Sequence, residues 1–165
     1  DPAKTGPQDL INRKFSGYNF DVIQGGLTYV IDATKPVGER IRDLAFDGEP
    51  VDAAQPFIVV TNNYRASGGG KFPGLDGSNV VLSAPDANRD VLIDWVRTRK
   101  HLTRARDGAD RNWHFVPVRT AGPVTFVSAA GKLDVARTDG LHNVRALHDN
   151  GDGTATYAID LSAAQ

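Results

Sequence analysis

Residues 57–61 are the stretch that most restricts how this chain can fold. Their sequence, Phe-Ile-Val-Val-Thr, is apolar on both faces of an extended backbone and rich in β-branched side chains. Such a run is typical of a strand covered on both sides, because a strand with one solvated face alternates apolar and polar residues. The sequence therefore predicts a central, covered strand of a β-sheet here.

Two further strands are predicted before this run. Residues 28–32 are β-branched and aromatic, which favours an extended backbone. Residues 41–46 form a second run that ends at Asp47-Gly48, a dipeptide that accepts the positive φ of a tight hairpin turn. Residues 1–17 carry little periodicity, and we expect a surface segment with at most one helical turn near residues 10–11.

The periodicity changes after residue 82. Apolar residues recur at helical spacing between residues 91 and 102, which predicts a helix with Asp86 as its N-cap and Trp95 in the core. The last third returns to short strands, over residues 113–118 and 124–128, and to a hairpin around residues 150–153. The predicted fold is therefore a single α+β domain spanning residues 1–165, with a mixed sheet and packed helices.

Composition excludes several classes of protein. The 19 basic and 20 acidic residues leave a formal charge of -1, which gives no electrostatic case for a nucleic-acid polymer or an anionic membrane as partner. The chain has no cysteine, so disulfides and thiol nucleophiles are excluded. The absence of cysteine does not decide between an intracellular and a secreted protein. It also has no methionine and no signal-peptide pattern, and we expect an internal fragment of a longer precursor.

The loop after residues 57–61 is the best candidate for a binding site. Its glycines and Lys71 fail both the phosphate-loop pattern and the dinucleotide pattern. Gly68, Gly69 and Gly70 either form a flexible turn or let a ligand approach the backbone closely. Ligands commonly bind just beyond the ends of strands in open α/β sheets, and this position supports the interpretation that a ligand approaches the glycines.

Three residues between the strand and the glycines carry the candidate chemistry. Tyr64 is surrounded by polar residues, so it is not a core position and is suited to stack on a nucleobase, a contact worth ~1–3 kcal/mol. Asn62 and Asn63 either donate hydrogen bonds to a ligand or fold the turn through their own backbone, and the turn role is favoured.

No catalytic constellation is found in the sequence. The four histidines are dispersed and none forms a ligand pair at helical spacing, so each is interpreted as a surface or interface residue. Residues 149–153 lack the alternating oxygen ligands and the distal glutamate of a calcium loop, and are interpreted as a hairpin turn. The residues alone therefore predict a binding module without catalytic residues.

Three segments carry a family resemblance: residues 18–29, Ile-Arg-Asp-Leu-Ala-Phe-Asp-Gly-Glu-Pro at 41–50, and Val-Thr-Asn-Asn-Tyr-Arg-Ala-Ser-Gly-Gly-Gly-Lys-Phe at 60–72. Together they resemble the C-terminal domain of the 5'-nucleotidase superfamily, closest to its bifunctional 2',3'-cyclic-nucleotide 2'-phosphodiesterase/3'-nucleotidase branch. Strict 5'-nucleotidases usually carry an aspartate after the paired glycines, whereas this sequence has Gly70-Lys71. A phosphate on the 2' and 3' oxygens would be repelled by a carboxylate there, which favours the cyclic and 3'-nucleotide branch.

The resemblance implies a secreted or periplasmic bacterial hydrolase of nucleotide catabolism. This chain would bind the base and ribose of a nucleotide or nucleoside, and an N-terminal metallophosphatase domain of the same polypeptide would hold two divalent metal ions. No metal or cofactor and no catalytic residue is expected in this chain, and the resemblance also leads us to expect that the family domain's opening strand and helix are not part of it. The predicted substrate-binding residues are Tyr64, Asn62, Asn63, Gly68, Gly69, Gly70 and Phe72.

Two alternative functions stay open. The chain is either the equivalent domain of a 5'-nucleotidase or UDP-sugar hydrolase, or a stand-alone nucleoside-binding module without catalysis. The pattern of an upstream metallophosphatase domain in the flanking sequence would separate an enzyme from a stand-alone module.

Overall fold

A computed structural model describes residues 1–15, 17 and 22–163 of the chain. The chain divides into two compact units. The sheet unit consists of Asp1–Val51 and Arg111–Gln165, and the helical unit consists of Asp52–Asp110. The single domain expected for residues 1–165 stays a prediction, and each unit is described by itself below.

The first sheet of the sheet unit has the strand order β4-β3-β2-β5. Its strands are β2 (Leu27–Ile31), β3 (Ile41–Phe46), β4 (Glu49–Pro50) and β5 (Trp113–Phe115). Strands β2 and β3 confirm the two predicted strands to within one residue, and β5 runs parallel to β2. The Val116 amide still bonds to Ile31 (2.9 Å), but Pro117 has no amide to donate, so β5 ends earlier than the predicted residue 118.

The hairpin between β3 and β4 forms where the Asp47-Gly48 pair predicts it. Asp47 has φ 49° and Gly48 has φ 87°, the pair of positive φ angles that a two-residue type I' turn requires. Asn112 secures the far edge of this sheet, because its side-chain amide donates to the carbonyl oxygens of Ile23 (2.7 Å) and Leu27 (2.9 Å).

The second sheet has the strand order β1-β6-β8-β7 and carries the core. Its strands are β1 (Gln8–Asp9), β6 (Val124–Ala129), β7 (Val144–Asp149) and β8 (Thr154–Ile159), with helix α4 (Leu133–Thr138) between β6 and β7. The predicted strand at 124–128 and the hairpin at 150–153 are both confirmed. The prediction for residues 1–17 was wrong in one respect, since β1 is a short strand that pairs in parallel with β6.

The helical unit contains short elements joined by irregular segments. Its elements are α1 (Asn63–Ala66), a 3₁₀ turn (Gly69–Lys71), α2 (Asn88–Arg99) and α3 (Arg104–Asp107). Helix α2 confirms the predicted helical period. It begins after Ala87, however, and no side chain caps it, so the prediction of Asp86 as N-cap was wrong. Asp86 lies one residue too early for its carboxylate to take the cap position.

Two predictions for the helical unit are wrong in their packing. No strand forms over residues 57–61, because no strand of the described chain pairs with them, and Val60 is 94% exposed. Trp95 is 40% exposed and is not a core residue; its ring contacts the guanidinium of Arg99 on the next turn of α2, 5.4 Å from the ring centroid. Mixed sheets with a few helices nevertheless confirm the predicted α+β class.

Candidate functional site

The candidate site is the Tyr64 loop, defined as residues 61–72, which contains α1 and the 3₁₀ turn. Asn62 precedes α1 with an extended backbone (φ −80°, ψ 159°), and its Oδ1 accepts a hydrogen bond from the Arg65 amide at 2.9 Å. Asn63 Oδ1 accepts from the Tyr64 amide at 3.0 Å. The side-chain oxygens of both asparagines therefore fold the turn, which was the favoured interpretation, while ligand contact by their amide groups stays a prediction.

Two of the three glycines are required by the backbone. Gly68 has φ 93° and Gly70 has φ 78°, in the left-handed region that other residues rarely adopt. The turn closes through the Lys71 amide, which donates to the Gly68 carbonyl at 3.2 Å. These two positions support the interpretation of the glycines as a turn.

Gly69 is needed for a different reason, namely its contact with Tyr64. Its φ is not positive, but a Cβ placed on it would lie 2.6 Å from Tyr64 Cε2 and 2.7 Å from Tyr64 Cδ1. These two carbons are para to each other, so the added methyl would sit over the face of the ring. The missing side chain at Gly69 thus lets one face of the Tyr64 ring lie against the backbone.

The rest of the Tyr64 ring is open to solvent. Tyr64 is the second residue of α1 and is 57% exposed. Because one face rests against Gly69, the exposed area is mainly the opposite face and the edge. An aromatic ring with one supported and one open face is the arrangement that a stacking contact with a planar base requires.

The far side of the loop is held by a cation–π contact. The guanidinium carbon of Arg65 lies 5.1 Å from the centroid of the Phe72 ring, which is half-buried. Phe72 thus closes the loop on itself, and its predicted contact with substrate stays untested.

A second turn follows the loop and adds a fixed negative charge. Asp76 Oδ1 accepts hydrogen bonds from the Ser78 amide (2.9 Å) and hydroxyl (2.5 Å). These bonds, the hydroxyl bond first, lower the pKa of the Asp76 carboxyl below its ordinary value, because they stabilise the ionised form. Gly68 approaches this turn closely, since a Cβ on it would lie 3.4 Å from the Leu75 carbonyl oxygen.

The described residues contain no metal centre. Among residues 1–15, 17 and 22–163, no group of three or more His, Asp or Glu side chains is placed to hold a metal ion. In the same residues no helix has the length and apolar character needed to cross a membrane.

Sequence comparison relates the loop and the first sheet to a known family. Residues 8–77 match the model of the 5'-nucleotidase, C-terminal domain. This range includes β1 to β4 and the whole Tyr64 loop. The match over residues 8–77 confirms the resemblance read from the sequence.

Curated relatives match over most of the chain. It is 44% identical over 141 residues to the trifunctional nucleotide phosphoesterase protein of Bacillus subtilis, covering 78% of this chain. It is 37% identical over 174 residues to the 2',3'-cyclic-nucleotide 2'-phosphodiesterase/3'-nucleotidase of Salmonella typhimurium, covering 94% of this chain. The Haemophilus influenzae protein of the same name is 40% identical over 132 residues, covering 72% of this chain.

These relatives are much longer than the chain. The matched part amounts to 9% of the Bacillus protein, 27% of the Salmonella protein and 20% of the Haemophilus protein. No solved structure matches the chain significantly. The relatives are phosphoesterases by name, and the matched region is a minor part of each.

The sequence predicted which residues form this loop but missed what Gly69 does. Tyr64 and Gly69 are five residues apart, and nothing in that spacing alone indicates that the ring lies over the glycine. A short helix capped by Asn62 brings the two together, and four-residue helices leave no periodic signal.

Proposed function

We propose that this chain binds the base and ribose of the substrate in a bacterial 2',3'-cyclic-nucleotide 2'-phosphodiesterase/3'-nucleotidase. Hydrolysis would be performed by a separate, N-terminal metallophosphatase domain of the same polypeptide. The observation that carries the proposal is the Tyr64 ring, which has one face against Gly69 and the other exposed. The names of the relatives support the same substrate class.

The physical basis of the proposal is preorganisation. Stacking of a base on an aromatic side chain is worth ~1–3 kcal/mol. The contact between Tyr64 and Gly69 fixes the ring before a ligand arrives, so less side-chain entropy is lost on binding. The half-buried glycine backbone beside the ring would let a ribose approach closely, because no side chain stands in the way.

The 3'-nucleotide branch is favoured by the residues after the paired glycines. The position holds Gly70 in place of an aspartate, and the next residue is the exposed cation Lys71. A cation suits a ligand that carries its phosphate on the 2' and 3' oxygens, whereas a carboxylate would repel it.

The metal ions belong to the proposed partner domain. Two-metal catalysis needs a cluster of carboxylate and histidine ligands, and the described residues of this chain offer none. We accordingly propose that the 165-residue chain alone does not hydrolyse 2',3'-cyclic AMP or 3'-AMP with Mn²⁺, Co²⁺ or Zn²⁺. A secreted or periplasmic location is part of the same proposal, by analogy with the family.

The test is the Tyr64→Ala change in the full-length enzyme. Loss of ~1–3 kcal/mol of stacking should raise KM for 3'-AMP by roughly 5- to 150-fold. The kcat value should change little, because base stacking is made equally in the ground and transition states. Tyr64→Phe should be nearly silent, since the π-face is retained.

Two controls separate base binding from a general defect. Phe15 is an exposed aromatic residue of the sheet unit (58%, against 57% for Tyr64), so Phe15→Ala should leave KM unchanged. Hydrolysis of p-nitrophenyl phosphate, which has no base, should be unaffected by Tyr64→Ala. Equal losses on 3'-AMP and p-nitrophenyl phosphate would contradict the proposal and indicate a folding defect.

A further inference from the structure

A cavity lies in the sheet unit, among residues that the proposed function does not use. Its volume is about 690 Å³, and it is lined by the start of β6, the start of β7 and the end of β8, with the loops beside them. This volume is within the range of small-molecule sites, roughly 300–1,000 Å³. The lining falls outside residues 8–77, the part that matches the family model.

The walls of this cavity are fixed by backbone hydrogen bonds. The Asp160 amide donates to the Asn143 carbonyl (2.8 Å), and the Asn143 side-chain amide donates back to the Asp160 carbonyl (2.9 Å). The Val118 amide donates to the Leu161 carbonyl (2.8 Å). The two ends of the cavity are thereby tied to the edge of the core sheet.

The loop at residues 119–123 is fixed as well. The Ala121 amide donates to the Pro2 carbonyl at 2.8 Å, and the Thr120 hydroxyl donates to the Gly122 carbonyl at 2.8 Å. Gly122 is buried, and a Cβ on it would clash with the backbone of Thr5 and Gly6. This close packing leaves the loop little freedom to fill the cavity.

The charged side chains of the lining are mostly basic. Arg119, His142 and Arg145 face a single carboxylate, Asp160. Asp160 Oδ1 already accepts hydrogen bonds from the Ser162 amide (2.8 Å) and hydroxyl (2.7 Å). Within the part of the chain that the structure describes, neither Arg119 nor Arg145 has an ion pair or a hydrogen bond. The hydrogen bonds from Ser162, followed by the charge of Arg119, lower the pKa of the Asp160 carboxyl. The Arg145 guanidinium is therefore open to an anion, and the Arg119 guanidinium still has all its hydrogen-bond donors to offer one.

We propose that this cavity binds a small phosphorylated anion through Arg119, Arg145 and His142. The planar guanidinium fork matches two phosphate oxygens at once, which makes arginine the usual residue for recognising phosphate. The group that the cavity would recognise is the phosphate itself, either as a free ion or as part of a nucleotide. The lining residues belong to the sheet unit, whereas the Tyr64 loop belongs to the helical unit.

The test is an NMR titration of the ¹⁵N-labelled 165-residue chain with inorganic phosphate, at constant ionic strength set with chloride. We expect saturable shifts confined to the amides of residues 119–124, 142–145 and 158–162. A charged hydrogen-bond partner is worth ~1.5–3 kcal/mol, so Arg145→Gln should weaken phosphate binding by about 10- to 150-fold. Arg145→Lys keeps the charge but loses the planar guanidinium group. Its phosphate affinity should lie between those of the wild-type chain and Arg145→Gln.

A matched control has the same charge change outside the cavity. Arg137 lies on α4 and pairs with Asp134 at 3.2 Å, so Arg137→Gln should leave phosphate affinity within about 2-fold if binding needs a specific site. Equal weakening by Arg137→Gln, shifts spread over the surface, or absence of saturation would each overturn the proposal. The NMR spectrum of each variant without phosphate checks that the variant is folded. If Arg145→Gln unfolds the chain, Arg119→Lys is used as the test variant in its place.

The source of the phosphate is resolved by two further probes. Binding of 3'-AMP with the same shifts, and none with adenosine, would indicate that a nucleotide phosphate enters the cavity. Shifts in this cavity with adenosine alone would contradict a site that recognises phosphate.

Discussion

The sheet unit buries a core, whereas the helical unit buries no residue at all. Six apolar residues of the sheet unit are buried, all of them in or next to β6, β7 and β8: Val124, Val144, Ala155, Tyr157, Ala158 and Leu161. None of residues 52–110, all of which the structure describes, reaches the same burial. Apolar side chains have thus reached different states in the two units.

The difference shows what apolar side chains need in order to be buried. In the sheet unit five of these six residues lie on strands whose neighbours supply both hydrogen bonds and apolar contacts, and Leu161 lies two residues after the end of β8. In the helical unit residues 57–60 and 80–82 belong to no helix or strand and are exposed, and α2 has no buried residue. Local hydrogen bonds order this unit instead, such as the Asn62 cap and the Thr103 cap of α3.

The consequence for function is that the Tyr64 loop is ordered locally. Contacts within the loop hold the Tyr64 ring against Gly69, but the helical unit has no buried core on which the loop could pack. Segments that are ordered by local hydrogen bonds but bury no side chains typically unfold locally at a low free-energy cost. Three predictions test this comparison, beginning with the largest expected effect.

The first prediction concerns amide hydrogen exchange in the 165-residue chain. Amides of β6 and β8 should open only with unfolding of the sheet unit, at a free energy on the order of 5 kcal/mol or more. Amides of α1 and α2 should open at close to 0 kcal/mol, so their protection should be lower by about 1000-fold or more. Equal protection of α2 and β8, measured by NMR or mass spectrometry, would contradict the comparison.

Local patterns predicted much of the sheet unit. Strand β3 was predicted at its observed bounds, because the Asp47-Gly48 pair that follows it leaves little choice of turn. The hairpin at residues 150–153 was predicted for the same reason. Strand β1 was missed since two residues carry no period, and α4 was missed because its six residues do not complete two turns.

Non-local pairing accounts for the failures in the helical unit. Residues 57–61 have the composition of a covered strand, but a strand exists only where another strand accepts its hydrogen bonds. The position of Tyr64 outside the core was predicted from its polar neighbours, and the exposure of its side chain confirms that prediction. The contact between its ring and Gly69 depends on the geometry of α1, which the sequence does not reveal.

The second prediction compares one large aromatic residue from each unit. Tyr157 is 4% exposed, its ring stacks on Phe126 with centroids 5.5 Å apart, and its hydroxyl donates to the Ala129 carbonyl at 2.7 Å. Tyr157→Ala should lower the free energy of unfolding by ~3–5 kcal/mol, through the cavity and the lost contacts. Trp95→Ala should cost clearly less, because Trp95 is 40% exposed and lies in a unit whose residues are all at least partly exposed.

Urea unfolding of both variants, followed by circular dichroism, measures this difference. The control is Tyr157→Phe, which keeps the ring and loses only the hydrogen bond, at a cost of ~1 kcal/mol. A loss of ~3–5 kcal/mol for Trp95→Ala would mean that α2 packs into a core after all, as its helical period first suggested.

The third prediction concerns two aspartates with the same local hydrogen bonds in different units. In the β7–β8 hairpin, Asp152 Oδ1 accepts from the Thr154 amide (3.0 Å) and hydroxyl (2.6 Å), as Asp76 does from Ser78 in the helical unit. The bond from the Thr154 hydroxyl is the largest cause that lowers the pKa of Asp152 below its ordinary value. Only Asp152 is joined to a strand of the core sheet, so only its protonation should weaken the folded sheet unit.

The sign of this effect follows from the direction of the pKa shift. A carboxyl whose pKa is lower in the folded state stabilises that state above its unfolded pKa of about 3.9, and the contribution is lost as pH falls through the folded pKa. Asp152→Asn should therefore lower the urea midpoint of the sheet unit at pH 6, and the difference should be smaller at pH 3, where more of the wild-type carboxyl is protonated. Asp76→Asn should leave that midpoint unchanged at both pH values, although the pKa of Asp76 is lowered in the same way. An equal shift for both variants would mean that residues 52–110 unfold together with the sheet, and the contrast between the two units would then not extend to their stability.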